Sequence, residues 1–199
     1  YLGWSGISKL LELSFVGAPV FAFPGAILVS VALALTAYVC FLSAAALTPM
    51  SLSLVLAVFL VVGAFAAMLA SSDPNWWRDN LSALGMSTNN GSIAFNITLI
   101  IAGIMVTTIS RYATAGLPVD DEADRRGRTI VRAGLILMGL FLACVGIFPV
   151  DEFFVIHNTV ATGMAVVYAV VVVGLPWFLR GIPRVFVLFG WAYVAVIAV

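Results

Sequence analysis

Four residues have types that could carry acid–base or nucleophilic chemistry together: Ser82, His157, Asp79 and Asp151. His157 is the single histidine of the chain. A Ser82–His157 pair assisted by Asp79 or Asp151 would make a lipid hydrolase or acyltransferase, the imidazole taking the hydroxyl proton as the serine attacks an ester. Such groups are recognised by geometry, and the strand–turn–helix elbow that presents a nucleophilic serine is missing. The same region admits a chemistry without turnover. Arg78, Asp79, Ser82, Asn96, His157 and Asn158 could line a polar pocket suited to a lipid headgroup. One histidine is too few for a metal-dependent membrane hydrolase, so no metal is expected. No Gly-rich phosphate loop is present, and no cofactor is expected. Lys+Arg and Asp+Glu balance at 9 each, which suggests no nucleic-acid partner.

The elements that must position these residues are set by composition. Of 199 residues 63% are hydrophobic and 9% charged, with a mean hydropathy of +1.17. Soluble domains carry roughly a quarter charged residues, so this is an integral membrane protein. Its apolar runs cover about 24–47, 51–70, 93–110, 130–148, 153–178 and 184–199. They are too long and too evenly apolar for barrel strands. The expectation is an all-α bundle of six transmembrane helices over 24–199, whose spans satisfy their backbone groups internally.

Residues 13–47 are 35 uncharged positions, or about 52 Å of helix against a hydrocarbon core of roughly 30 Å. Pro19 and Pro24 offer a break. Before it, Trp4, Ile7, Leu10 and Leu11 share one face and Ser5, Ser8, Lys9 and Glu12 the other, the pattern of an interfacial amphipathic helix over 1–23. A single tilted helix beginning near Leu10 is the competing path. Cys40 and Cys144 fall inside apolar runs and read as buried hydrophobes. Gly63 with Ala67, and Gly134 with Gly139, permit close helix packing inside the bundle.

Arg111, Arg125, Arg126, Arg128, Arg132, Arg180 and Arg184 lie in or beside the connections 111–132 and 179–184. The Lys/Arg excess marks those connections as cytoplasmic in a multi-pass protein of the cell membrane, and places 71–92 and 149–152 outside. The outer segment SSDPNWWRDNLSALG reads as a short amphipathic helix of about ten residues, with Asp73 as N-cap, Pro74 at the first helical position and Gly85 as the left-handed terminator. Trp76 and Trp77 would anchor it at headgroup level. Its polar side would face inward over His157, at a helix depth of about 9 Å if that helix begins near Asp151.

WWRDNLSALG, then AFNITLIIAG, ISRY and VGIFPVDEFFVIHNTVA resemble the prokaryotic family catalogued as domain of unknown function 998, over about residues 51–199. More distantly the chain is similar to the membrane proteins grouped as FRAG, DRAM and SFK-like, which implies a role tied to lipid remodelling and membrane traffic. The preferred expectation is a non-catalytic lipid-binding protein or scaffold, with membrane lipids and other membrane subunits as partners. The lipid-modifying enzyme comes second and a small transporter or channel third, because mid-span polar groups are hydroxyls such as Thr36, Thr107 and Thr108 rather than ionisable side chains. The arginine distribution makes a direct prediction. A Ser87→Cys variant is labelled by an impermeant thiol reagent on intact cells, and Ala123→Cys only after the membrane is opened; the reverse pattern overturns the orientation.

Overall fold

A computed structural model describes residues 9, 13, 22–73, 75–78, 80–86, 89–117 and 119–197. The chain divides into two compact units, 1–47 and 48–199. In the first, helix α1 spans Ala22–Ala45 with Pro24 in its first described turn. The interfacial helix expected over 1–23 falls almost entirely outside the described residues.

The second unit holds α2 (Pro49–Ala70), α3 (Asn90–Ala113), α4 (Glu122–Ile147), α5 (Phe154–Phe178) and α6 (Arg184–Ile197). Each packs on its neighbour in sequence, as short connections between antiparallel helices require. Their starts follow from local chemistry. Thr48 and Ser51 form a reciprocal capping box, with Pro49 at the start of α2. The side chains of Asn89 and Asp121 accept the amides of Ser92 and Asp124, each at 2.8 Å, supplying acceptors for the orphan N–H groups of the first turn. The Asp124 amide, aided by Arg180, holds the Asp121 carboxyl below its usual range.

Among the described residues five helices are long and apolar enough to cross a membrane: α1 to α5. The sixth expected span, at the end of the chain, is not among them. Helix α6 is described over 14 residues, about 21 Å at 1.5 Å per residue. The predicted starts at 93 and 130 also move, because polar turns from Asn90 and Glu122 extend α3 and α4 beyond their apolar runs.

Close approach of backbones holds the unit together. A Cβ on Gly139 would stand 2.7 Å from the Gly103 carbonyl oxygen and 2.8 Å from the Thr107 amide nitrogen. Gly63 faces Thr98, Gly134 faces Val171, and Gly127 lies against the Phe178 carbonyl. Lipid tails are as apolar as leucine, so association rests on such contacts rather than on hydrophobic burial. The small-residue pairs read from the sequence do pack within the bundle. One cluster, Ala67, Leu84 and Phe95, closes one end; another, Val131, Val171 and Leu179, closes the other.

Gly139→Ala should therefore lower stability by about 1–3 kcal/mol, the usual cost of overpacking. Gly116, with nothing within 4 Å of an added Cβ, should accept alanine without loss. Thermal unfolding in one detergent compares the two; equal midpoints would remove the close-packing account.

Candidate functional site

The loop joining α2 to α3 is not the expected ten-residue helix. It makes two 3₁₀ turns, Trp76–Arg78 and Leu81–Gly85. Asp73 does cap, its Oδ1 accepting the Asn75 amide at 2.8 Å, but Asn80 is extended (φ −156°, ψ 171°) and divides the segment. Asn and Asp compete with helix by bonding to nearby backbone. Asp79 and Pro74 lie outside the described residues.

Breaking the helix redistributes its faces. Leu84 is 3% exposed while Trp77 and Leu81 are 63% and 53% exposed, so the three do not share one side. Trp76 packs against the Ala67–Leu84–Phe95 cluster. Trp77 is thus exposed while Trp76 is packed inward, a correction to the reading of both tryptophans as outward. Gly85 is also reassigned. It does not adopt the left-handed conformation, found only at Gly181 among the described glycines. Its need for glycine is steric: an added Cβ would lie 2.6 Å from Asn96 Oδ1.

His157 lies in the first turn of α5, which starts at Phe154 rather than near Asp151. That puts it about 4.5 Å along the axis instead of 9 Å. The ring is nonetheless 4% exposed. Its Nδ1 stands 2.8 Å from the Phe148 carbonyl oxygen, and its Nε2 stands 3.3 Å from Ser82 Oγ. A carbonyl only accepts, so in the neutral ring Nδ1 carries the proton and Nε2 accepts from the Ser82 hydroxyl. Phe148 caps α4 and stacks edge-on with Phe153 at 5.5 Å. One side chain thus joins the end of α4, the start of α5 and the loop. A second tie lies beside it: Asn96 Nδ2 donates to the Gly85 carbonyl at 3.1 Å.

Of the six residues expected to line one pocket, the five that are described separate into three groups. Ser82 and His157 meet, and Asn96 holds the same 3₁₀ turn through Gly85. Arg78 is exposed, its guanidinium 5.3 Å from the Trp77 ring centre, instead of covering His157. Asn158 is exposed and donates to the Phe154 carbonyl of its own helix at 2.8 Å. The partners that sequence reasoning missed are Trp76 and the Phe148 carbonyl; the latter, as main chain, leaves no side-chain signature. No three His, Cys, Asp or Glu side chains among the described residues converge as a metal site. Cys40 and Cys144 are free, and Cys40 is exposed rather than buried. The hydroxyls of Thr36, Thr107 and Thr108 each donate to a carbonyl four residues back in their own helix.

Five apolar helices of spanning length and a small polar junction at one end of the bundle define a multi-pass integral membrane protein. The chain belongs to the family described as Protein of unknown function (DUF998), whose model matches residues 54–199. No curated protein and no solved structure matches it.

Removing the imidazole should free the loop. His157→Ala leaves the Phe148 carbonyl and the Ser82 hydroxyl without their partner, a cost of about 1–3 kcal/mol for each buried group left unpaired. Amide protection over residues 81–86 should fall by about ten-fold or more, ten-fold being roughly 1.4 kcal/mol. Asn158→Ala should not change it. Hydrogen exchange with peptide resolution measures both, and unchanged protection in His157→Ala would remove the clamp.

Proposed function

We propose that this protein is a non-catalytic lipid-binding membrane protein whose clamped outer loop holds a lipid headgroup. The observation that carries this reading is the exposed Trp77–Arg78 stack on a loop fixed to the helices by His157 and Asn96. An indole favours headgroup depth because its body is apolar and its N–H needs a partner. A guanidinium beside it presents several donors to a phosphate. The clamp reduces the ordering cost of binding, since the loop is held before the lipid arrives. The binding site is thereby moved from His157, whose ring nitrogens are occupied, to the loop surface above it. A role as accessory subunit of a larger assembly is compatible with this chemistry.

A phospholipid with a photoreactive headgroup, incorporated with the protein in vesicles, should crosslink to peptides from 71–89. Arg78→Ala should reduce that crosslinking about ten-fold or more, in line with a charged hydrogen bond of roughly 1.5–3 kcal/mol. His157→Gln, which keeps hydrogen bonding, should change it little. Undiminished crosslinking in Arg78→Ala would overturn the reading.

One observation favours a second reading, a lipid hydrolase or acyltransferase. The Phe148 carbonyl sets the tautomer in which His157 Nε2 faces Ser82 as a base, the orienting role that a carboxylate plays in a triad. It requires Ser82 to react with a fluorophosphonate probe, and Ser82→Ala to abolish labelling. Absence of labelling on the folded protein removes this alternative.

A further inference from the structure

At the end of the second unit opposite His157, cations and carboxylates are unevenly matched. Arg126 pairs with Glu122, and Arg180 pairs with Asp121 and approaches Asp124 at 4.0 Å. Those pairs engage three carboxylates of the α3–α4 connection and the first turn of α4. Arg128 and Arg132 have no carboxylate partner among the described residues. Both are half-buried. Arg125, Arg128 and Arg132 follow the i, i+3, i+7 spacing that puts side chains on one helix face.

Arg132 is the unusual member. It lies ten residues into α4, about 15 Å along the axis, where the apolar part of the span has begun. Its Nε donates to Thr114 Oγ1 at 2.8 Å. Thr114 is fully buried and donates its own hydroxyl to the Ser110 carbonyl at 2.7 Å. The hydroxyl is therefore oriented to receive Nε, and the guanidinium is fixed by that edge. Its two terminal nitrogens have no hydrogen-bond partner among the described residues and form a parallel fork. The carbonyl end of α3 offers at most about half a negative charge nearby. A cation at the edge of an apolar span needs a fuller counter-charge, and an arginine fork matches phosphate.

We propose that Arg132, positioned by Thr114 and joined by Arg128 one turn away, binds the phosphate of an anionic phospholipid in the leaflet at this end of the bundle. The site is separate from the Trp77–Arg78 loop and does not depend on it. Free phosphate shares the chemistry, but the place of Arg132 at the apolar border favours a phosphate carried on acyl chains.

The test is the thermal midpoint of the full chain in a neutral detergent, with added phosphatidylglycerol, phosphatidylcholine or inorganic phosphate. Phosphatidylglycerol should raise the midpoint in a saturable way and by more than either of the other two. Arg132→Gln should weaken apparent affinity for phosphatidylglycerol about ten-fold, and Thr114→Val by a smaller factor. Arg126→Gln, whose native side chain is paired with Glu122, should leave it unchanged. If Arg132→Gln does not fold, Arg128→Gln and Thr114→Val decide, each being expected to weaken the response. An unchanged response in the folded variants overturns the site, as does equal stabilisation by phosphatidylcholine. Equal stabilisation by inorganic phosphate overturns the assignment to lipid.

Discussion

His157 joins three pieces of chain. Its Nδ1 reaches the carbonyl that ends α4, its Nε2 reaches the loop at Ser82, and its own helix begins one turn earlier. A buried imidazole with both nitrogens engaged is directional in a way that apolar packing is not, and in a region of low dielectric each missing bond is costly. The fixed loop in turn holds Leu84 on Ala67 and Phe95, with Trp76 over the cluster. With Asn80 extended after the first 3₁₀ segment, Trp77 and Arg78 stand exposed.

Asn96 couples this junction to the helix packing beneath it. Its amide holds the Gly85 carbonyl, while its own carbonyl lies 2.6 Å from where a Cβ on Gly146 would be. The glycine that lets α4 approach α3 therefore also sets the height at which Asn96 meets the loop. Further along the same pair, Gly103 and Gly139 repeat the approach. The widest packing surface of the unit, α3 on α4, is a row of such places. Without a hydrophobic force between helices in lipid, these contacts and the few interhelical hydrogen bonds must supply the association.

Most of this scaffold was legible in the sequence. Five of the six apolar runs are helices of spanning length, and Gly63, Gly134 and Gly139 mark real close approaches. The meeting of Ser82 with His157, and a role for Asn96 beside it, were also within reach, because single polar residues in apolar surroundings seek partners. The loop was misread for a physical reason. Asp73, Pro74 and Gly85 are the punctuation of a helix, yet the same residue types serve Asx turns and close backbone contacts. With Asn80 extended, the i, i+4, i+7 spacing of Trp77, Leu81 and Leu84 loses its meaning, and with it the inward placement of Arg78. The partner of His157 Nδ1 was invisible because every residue has a carbonyl.

The two ends of the bundle solve the burial of polar groups differently, and this separates structure from ligand binding. At the His157 end the buried groups satisfy one another: imidazole, hydroxyl, amide and carbonyls close a network that asks nothing of a ligand. At the arginine-rich end Thr114 and Ser110 close a similar local network, but it terminates on a guanidinium whose charge no described carboxylate neutralises. Hydrogen bonds can be completed within the chain, whereas a net charge beside hydrocarbon cannot be cancelled by hydroxyls or carbonyl dipoles alone. A histidine that draws attention by being unique is therefore the better candidate for holding the fold. The arginines, numerous and ordinary in sequence, carry the unmet electrostatic demand that a phosphate would answer.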